Sequence, residues 1–303
     1  MPAIAKARPV VGAADPATPV SAFHKFTVVL LILIPLGATL FSMYAAWRWT
    51  NYFSAKDLAL FGAFYLMSSI GITVGFHRML THAAFDAPPF IRGILLIFAM
   101  FALQGSPLSW AAAHIKHHAY SDKPDDPHSP LVSLFHAHVG WLFASRVSKP
   151  KYAKRQMRDP VVMFVTKTCG WWALLGIVLP FLIGGWTGLL WGAGVRIFFV
   201  HHVTWGVNSI CHTFGSRPFR TGERSTNNLA VGILGMGEGW HNNHHAFQRS
   251  AFHGLRWYEV DASGYFIRLL STVGLASKVY SVPRELMAAR RQEGAGDRMS
   301  RTT

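Results

Sequence analysis

Uncharged apolar runs too long for a soluble fold dominate this chain. Residues 26 to 46 form a nearly unbroken apolar block around Pro35, and Leu58 to Phe76 carry no charge at all. A third block runs from Cys169 to Ile183. A fourth runs from Trp186 to Val207, interrupted by Arg196 and the pair His201-His202. A hydrocarbon core of roughly 30 Å takes about 20 helical residues to cross. The blocks therefore predict four transmembrane helices, at about 26–46, 57–76, 167–184 and 186–208. Composition agrees, since charged residues make up only 14% of the 303, against roughly 25% in soluble domains. The first block is too long for a secretory signal and lacks its small-residue cleavage site, so it is read as a span.

Charge gives the orientation. Lys and Arg gather before the first block, between residues 76 and 168, and beyond residue 213, while the Gly184-Gly185-Trp186-Thr187-Gly188 hairpin has none. By the positive-inside rule both termini and the long middle segment lie on the cytoplasmic side. The formal net charge of +15 is then a matter of topology and of attraction to anionic lipid or an acidic partner, with nucleic-acid binding excluded. The apolar stretch Ile91 to Leu103 is too short to span and is expected at the interface or against the bundle. Residues 1–22 and 286–303 read as disordered tails around one domain, 23–285. Cys169 and Cys211 have no paired spacing and read as packing residues.

Nine of the 16 histidines stand in four compact groups: His77 and His82; His114, His117 and His118; His212; and His241, His244 and His245. One HxxHH arises by chance in roughly a few per cent of such chains, and two in roughly a tenth of a per cent. On a helix, positions i, i+3 and i+4 share a face, so each HxxHH can aim its imidazoles at one point. His77 follows the second span and His212 closes the fourth. All four groups therefore converge on the cytoplasmic membrane surface. Nine imidazoles exceed the four ligands of a zinc site and suffice for two ions, although imidazole alone does not choose among Fe, Zn, Cu and Ni. No Glu-x-x-His motif of soluble carboxylate di-iron bundles is present. Glu238 is a candidate for orienting an imidazole. His24, His128, His136, His138 and His253 lack ligand spacing and read as structural. His201 and His202 lie about 16 Å of helix rise before His212 and read as packing or hydrogen-bonding groups.

At these residues the chain resembles the membrane fatty acyl desaturases of the stearoyl-CoA (acyl-CoA delta-9) type, with a bacterial cast. The matching strings are His77-Arg78-Met79-Leu80-Thr81-His82, His114-Ile115-Lys116-His117-His118 with Asp126-Pro127-His128 beyond, and His138-Val139-Gly140-Trp141. Two more follow, Trp205-Gly206-Val207-Asn208 leading to His212, and Gly237-Glu238-Gly239-Trp240-His241 leading to His245. The resemblance covers about residues 57 to 280. It implies an all-α integral membrane protein with four transmembrane helices and a cytoplasmic helical cap carrying a histidine-ligated di-metal site. It puts one iron on His77, His82, His114, His118 and His244. The other takes His117, His212, His241 and His245, with Asn208 reaching it through a water and Trp205 lining the acyl tunnel at its bend. It implies Fe2+ ions, O2 as co-substrate, and a cis double bond at carbon 9 of a saturated chain. The chain departs from the animal enzymes where an Arg-Asp pair holds CoA. Ala112-Ala113 stand there, and Ser145-Arg146 replace an Arg-Lys pair. Acyl-CoA is the expected substrate form, with acyl carrier protein or a membrane lipid as alternatives.

Removing hydrogen from an unactivated methylene is beyond side-chain acid-base chemistry and calls for a metal-oxygen system. Such chemistry consumes two electrons. Two cysteines cannot build a four-thiolate iron site, and Gly235-Met236-Gly237-Glu238-Gly239 lacks the strand-to-helix context of a dinucleotide fold. An external donor is therefore expected, namely a ferredoxin, a rubredoxin or a cytochrome b5-like protein, and a basic face suits an acidic one. The rival readings are a membrane hydroxylase of alkyl or lipid substrates and, more distantly, a metal transporter. The location expected is a bacterial inner (plasma) membrane, crossed several times.

Overall fold

The computed structural model describes residues 20–49, 52–144 and 147–291, whose regular elements are helices joined by loops with a few isolated bridges. Three helices are long and apolar enough to cross a membrane: Ala22–Arg48, Ala55–Thr81 and Cys169–Ser209. The first is α1. The Ser21 hydroxyl caps its N-terminus by accepting from His24 N–H, as cap positions favour. Only 22% of its most apolar window is buried, and Phe26, Leu33, Ile34, Leu40 and Met43 face outward. An apolar surface this large has no place in water.

The second long helix begins as α2 (Ala55–Ile70), capped by a reciprocal Ser54–Asp57 box. It continues into an 11-residue π-helix, Gly71–Thr81. Helix α3 (Pro89–Met100) crosses it so closely that a Cβ on Gly71 would meet Ala99 N at 2.0 Å and one on Gly75 would meet Leu95 O at 2.7 Å. The core sits in this crossing: Ile72, Val74, Phe76, Leu95, Leu96 and Ala99 are buried together. The stretch Ile91 to Leu103 thus packs on the bundle, with Phe90 still exposed. Helix α4 (Pro107–Tyr120) follows and carries the first HxxHH. The short helices α5 (Leu134–His138), α6 (Lys149–Tyr152) and α7 (Pro160–Lys167) lead to the third long element.

That element is 41 residues long, about 60 Å if it were straight. It is not straight. Helix α8 (Cys169–Leu189) breaks at Gly185, whose φ of 64° and ψ of −149° suit glycine alone among common residues. Beyond the break the chain turns back on itself, and a Cβ on Gly192 would meet Pro180 Cβ at 2.7 Å. A π-helical turn, Leu190–Val195, then leads into α9 (Arg196–Ser209). Arg196 is fully buried. It donates to Ser68 Oγ (3.0 Å), Gly192 O (3.0 Å), Gly176 O (2.7 Å) and Phe101 O, binding α2, α3, α8 and α9 together. Asp57 joins the far ends, accepting from the Thr187 hydroxyl at 2.7 Å.

The rest of the chain caps this bundle through α10 (Leu229–Leu234), α11 (His241–Ala246), α12 (Ala262–Thr272) and α13 (Arg284–Arg290). The last overlaps the tail expected from residue 286, while residues 1–19 and 292–303 fall outside the described residues.

Candidate metal centre

His77 and His82 are five residues apart, which α-helical winding would leave about 140° apart around the axis. The π-helix, closing i to i+5, returns them to nearly one side. His82 N–H bonds His77 O at 3.1 Å, and the two rings lie 4.8 Å apart. The HxxHH motifs behave differently from the single-point aim expected from their spacing. On α4, His114 and His118 point one way and His117 another. On α11, His241 and His245 pair and His244 diverges. Positions i+3 and i+4 differ by about 100° around a helix, so each motif straddles two points.

Two groups result. The ring nitrogens of His77, His82, His114, His118 and His244 lie within 4.8 Å of one another, and so do those of His117, His212, His241 and His245. In the first group the Nε2 atoms touch in a chain, His82 to His114 (3.0 Å), His114 to His118 (2.9 Å), His118 to His244 (2.9 Å) and His244 to His77 (3.1 Å). In the second, His241 Nε2 is 3.0 Å from His212 Nε2 and 3.1 Å from His245 Nε2. An imidazole nitrogen holds one in-plane hydrogen or one lone pair. His114, His118, His244 and His241 each make two such contacts, so hydrogen bonding cannot satisfy them. A shared cation can. Imidazole nitrogens at about 2.1 Å from a metal and at right angles would stand about 3.0 Å apart. His117 Nε2 argues the same way, because it is buried without a partner. The donor set fits two metal ions.

The opposite edges of several rings are held by carboxylates. His117 Nδ1–H donates to Asp126 (2.9 Å) and His212 Nδ1–H to Asp122 (3.0 Å). Glu223 lies 3.6 Å from His245 Nδ1. His77 Nδ1 bonds Glu238, whose other oxygen takes Arg78 at 3.1 Å. Arg78 also grips Asp261 (2.9 Å) and is fully buried. Gly237 makes room for this pair: its φ is +109°, and a Cβ there would meet Asp261 Oδ1 at 2.2 Å. A ring that donates through Nδ1 presents a bare lone pair at Nε2, the form a metal takes. Burial first, and the neighbouring imidazoles next, push His82, His114, His118, His241, His244 and His245 well below the ordinary imidazole range. Burial would raise Asp126, but the His117 hydrogen bond and charge hold it below the usual carboxylate range.

Asp122, Asp126, Glu223 and Arg78 received no role from the sequence. Asp122 and Asp126 follow the first HxxHH within eight residues of His118, a signal that could have found them. Glu223 sits in a polar loop with no such signal. His253, read as structural, is buried with its ring 4.5 Å from that of His244. His128 lies 4.3 Å from the His117 ring. His138 and His202 bond each other at 3.0 Å, and His201 bonds Ala102 O, all apart from both groups.

A cavity of about 420 Å³ reaches the five-histidine group at His114. It runs past Val28 and Leu31 of α1 and Trp141 to His114, Trp205 and Asn208. A second space of about 50 Å³ continues beyond Asn208 towards Tyr65 and Ile72. Gln104 lines the large cavity and bonds two residues that line both spaces, donating to Thr204 (3.0 Å) and accepting from Trp110 (3.4 Å). Ala113 lines the large cavity, whereas Ala112 is buried. Ser145 and Arg146 lie outside the described residues.

Comparison with known proteins agrees with this architecture. Residues 47–262 match the family model described as fatty acid desaturase. An sn-1 stearoyl-lipid 9-desaturase of Anabaena variabilis is 42% identical over 220 residues, covering 71% of this chain and 80% of that one. An acyl-CoA C20 Delta5-desaturase of Anemone leveillei is 39% identical, covering 77% of each. A hex-5-enoyl-[acyl-carrier protein] acetylenase of Moorena producens is 35% identical, covering 87% of this chain and 88% of that one. With its histidine clusters, its apolar helices and these relatives, the chain belongs to the fatty acid desaturase family and is an oxidoreductase of lipid metabolism.

Proposed function

We propose that the protein introduces a cis double bond, at carbon 9, into a saturated fatty acyl chain, using O2 and two irons held by the nine histidines. The observation that carries this reading is the pair of imidazole groups beside an apolar cavity, which His114 lines, with His77, His114 and His241 lining the small space that adjoins it. The five-histidine and four-histidine groups hold one iron each, and Asn208, lining both spaces beside them, reaches the second through a water. Iron bound there supplies the oxidation, in which two adjacent methylenes lose two hydrogens and O2, two electrons and two protons complete the formation of the alkene and two waters.

The protein's own residues do the positioning. The chain threads the large cavity, and the Gln104–Thr204 bond and Trp205 impose a bend that presents adjacent methylenes to the nitrogen cage. The cavity wall excludes water from the reacting carbons. The carboxylates hold the imidazoles by Nδ1, so the rings keep their aim through turnover.

The backbone break at Gly185 supports reading α8 and α9 as two crossings, four in all. Both termini and the histidine cap then lie on the cytoplasmic face of a bacterial inner membrane, as the basic residues require. Electrons come from a separate acidic carrier, a ferredoxin, rubredoxin or cytochrome b5-like protein. The acyl chain arrives on CoA. Relatives named for lipid-bound and carrier-protein substrates make those forms the competing arms of the test.

Expression in a host that lacks monounsaturated fatty acids, with lipid analysis by mass spectrometry, tests the reading. A new double bond at carbon 9, lost in His118→Ala, is expected. A lipid alcohol in place of an alkene would make the protein a hydroxylase. Metal uptake by vesicles with unchanged fatty acids would make it a transporter.

A further inference from the structure

The two groups sit in unlike electrostatic surroundings. Around the four histidines stand Asp122 on His212 (3.0 Å), Asp126 on His117 (2.9 Å) and Glu223, 3.6 Å from His245 and 3.8 Å from His212. Among the described residues, the ion pairs of these three carboxylates are all with imidazoles; their other partners are backbone N–H groups and the Ser225 hydroxyl. Around the five histidines, Glu238 is the one carboxylate among the described residues that reaches a ring of the group, at His77, and its charge is shared with Arg78. Arg78 in turn is shared with Asp261. Among the described residues, the Nδ1 atoms of His118 and His244 here, and of His241 in the four-histidine group, are buried without a partner. A dication entering the four-histidine group meets three carboxylates, none of them paired with a guanidinium. One entering the five-histidine group meets two carboxylates with the Arg78 guanidinium between them.

We infer that the four-histidine group is the tighter of the two metal positions and fills first, and that Asp122, Asp126 and Glu223 are the positioning residues that make it so. The inference rests on the reading that both groups hold metal. A fifth imidazole adds a neutral ligand to the other group. The carboxylates add negative charge one ring away from the ion, in a buried setting where charge is weakly screened. Asp122 and Asp126 also lock their imidazoles in the tautomer that offers Nε2, while Glu223 acts through its charge alone. Loss of such a partner weakens metal binding by about 10- to 100-fold.

The test is a titration of the metal-stripped full-length protein in detergent with 57Fe2+ under anaerobic conditions, followed by Mössbauer spectroscopy and bound-iron analysis. One doublet is expected up to one equivalent, with a second, distinct doublet between one and two. Asp126→Asn and Asp122→Asn, which keep side-chain size, should each weaken the first step by about 10- to 100-fold and leave the second within about threefold. Glu238→Gln should do the reverse. Both doublets rising together from the start in the unmodified protein would overturn the inference, independently of any variant. So would a first step that Glu238→Gln weakens and Asp126→Asn does not. Absence of iron binding in the unmodified protein would instead defeat the functional reading on which the inference stands.

Discussion

The two imidazole groups draw on the same two motifs in opposite proportions. Helix α4 gives two rings to the five-histidine group and one to the other, and α11 gives one and two. What surrounds them differs more. The five-histidine group is tied into the bundle, because His77 and His82 leave the π-helix whose glycines seat directly on α3. The four-histidine group is tied by carboxylates from loops, Asp122 and Asp126 after α4 and Glu223 after α9. One group is held by packing, the other by charge. The lesson is that a repeated motif need not build a repeated site, since the helix phase and the ring's far edge decide what each histidine does.

The largest effect that could break this comparison is loss of a ring from either side. His118→Ala and His117→Ala are each expected to abolish double-bond formation, as measured in cellular lipids. Full activity in either variant would show that one group suffices. Next comes a change remote from both. Arg196→Met removes the donor to Ser68 Oγ and to three carbonyls around a buried site, at a cost of about 3 kcal/mol or more. A lower Tm in detergent, with the ratio of iron in the two groups unchanged, is expected. A selective loss from one group would mean that the bundle supports the two groups unequally.

How much of this could be read from residues alone follows the same division. The apolar helices stand where the uncharged runs stand, and the Gly184-to-Gly188 segment contains the backbone break that folds α8 against α9. The histidines were legible because four short strings contain them all. Their split between two points is set by helix phase, which a count of spacings towards a single target misses. The π-helix was not legible either, since its glycines signal close packing only once α3 is known to cross there. Least legible were the charge partners. Asp122 meets His212 across 90 positions of chain, and Arg78 meets Glu238 across 160. No local pattern joins residues so far apart.

A smaller effect sharpens the contrast between packing and charge. Asp261→Asn removes a charge from the Arg78 clamp without touching an imidazole. Activity about two- to tenfold lower is expected, below the 10- to 100-fold range for direct partners of metal ligands, and steady-state desaturation of a labelled acyl substrate would measure it. A loss matching that of Glu238→Gln would show that Arg78 alone fixes His77. The smallest effect is expected at Tyr65→Phe. It removes one hydrogen bond, from the hydroxyl to Leu234 O at 2.7 Å, worth about 1 kcal/mol, and should lower Tm slightly with activity retained.

The most direct measurement is an anomalous difference map from crystals of the iron-loaded protein at the iron edge. Two peaks per chain are expected, one among His77, His82, His114, His118 and His244 and the other among His117, His212, His241 and His245. A single peak, or iron at the His138–His202 pair with both cages empty, would contradict a centre built from nine imidazoles.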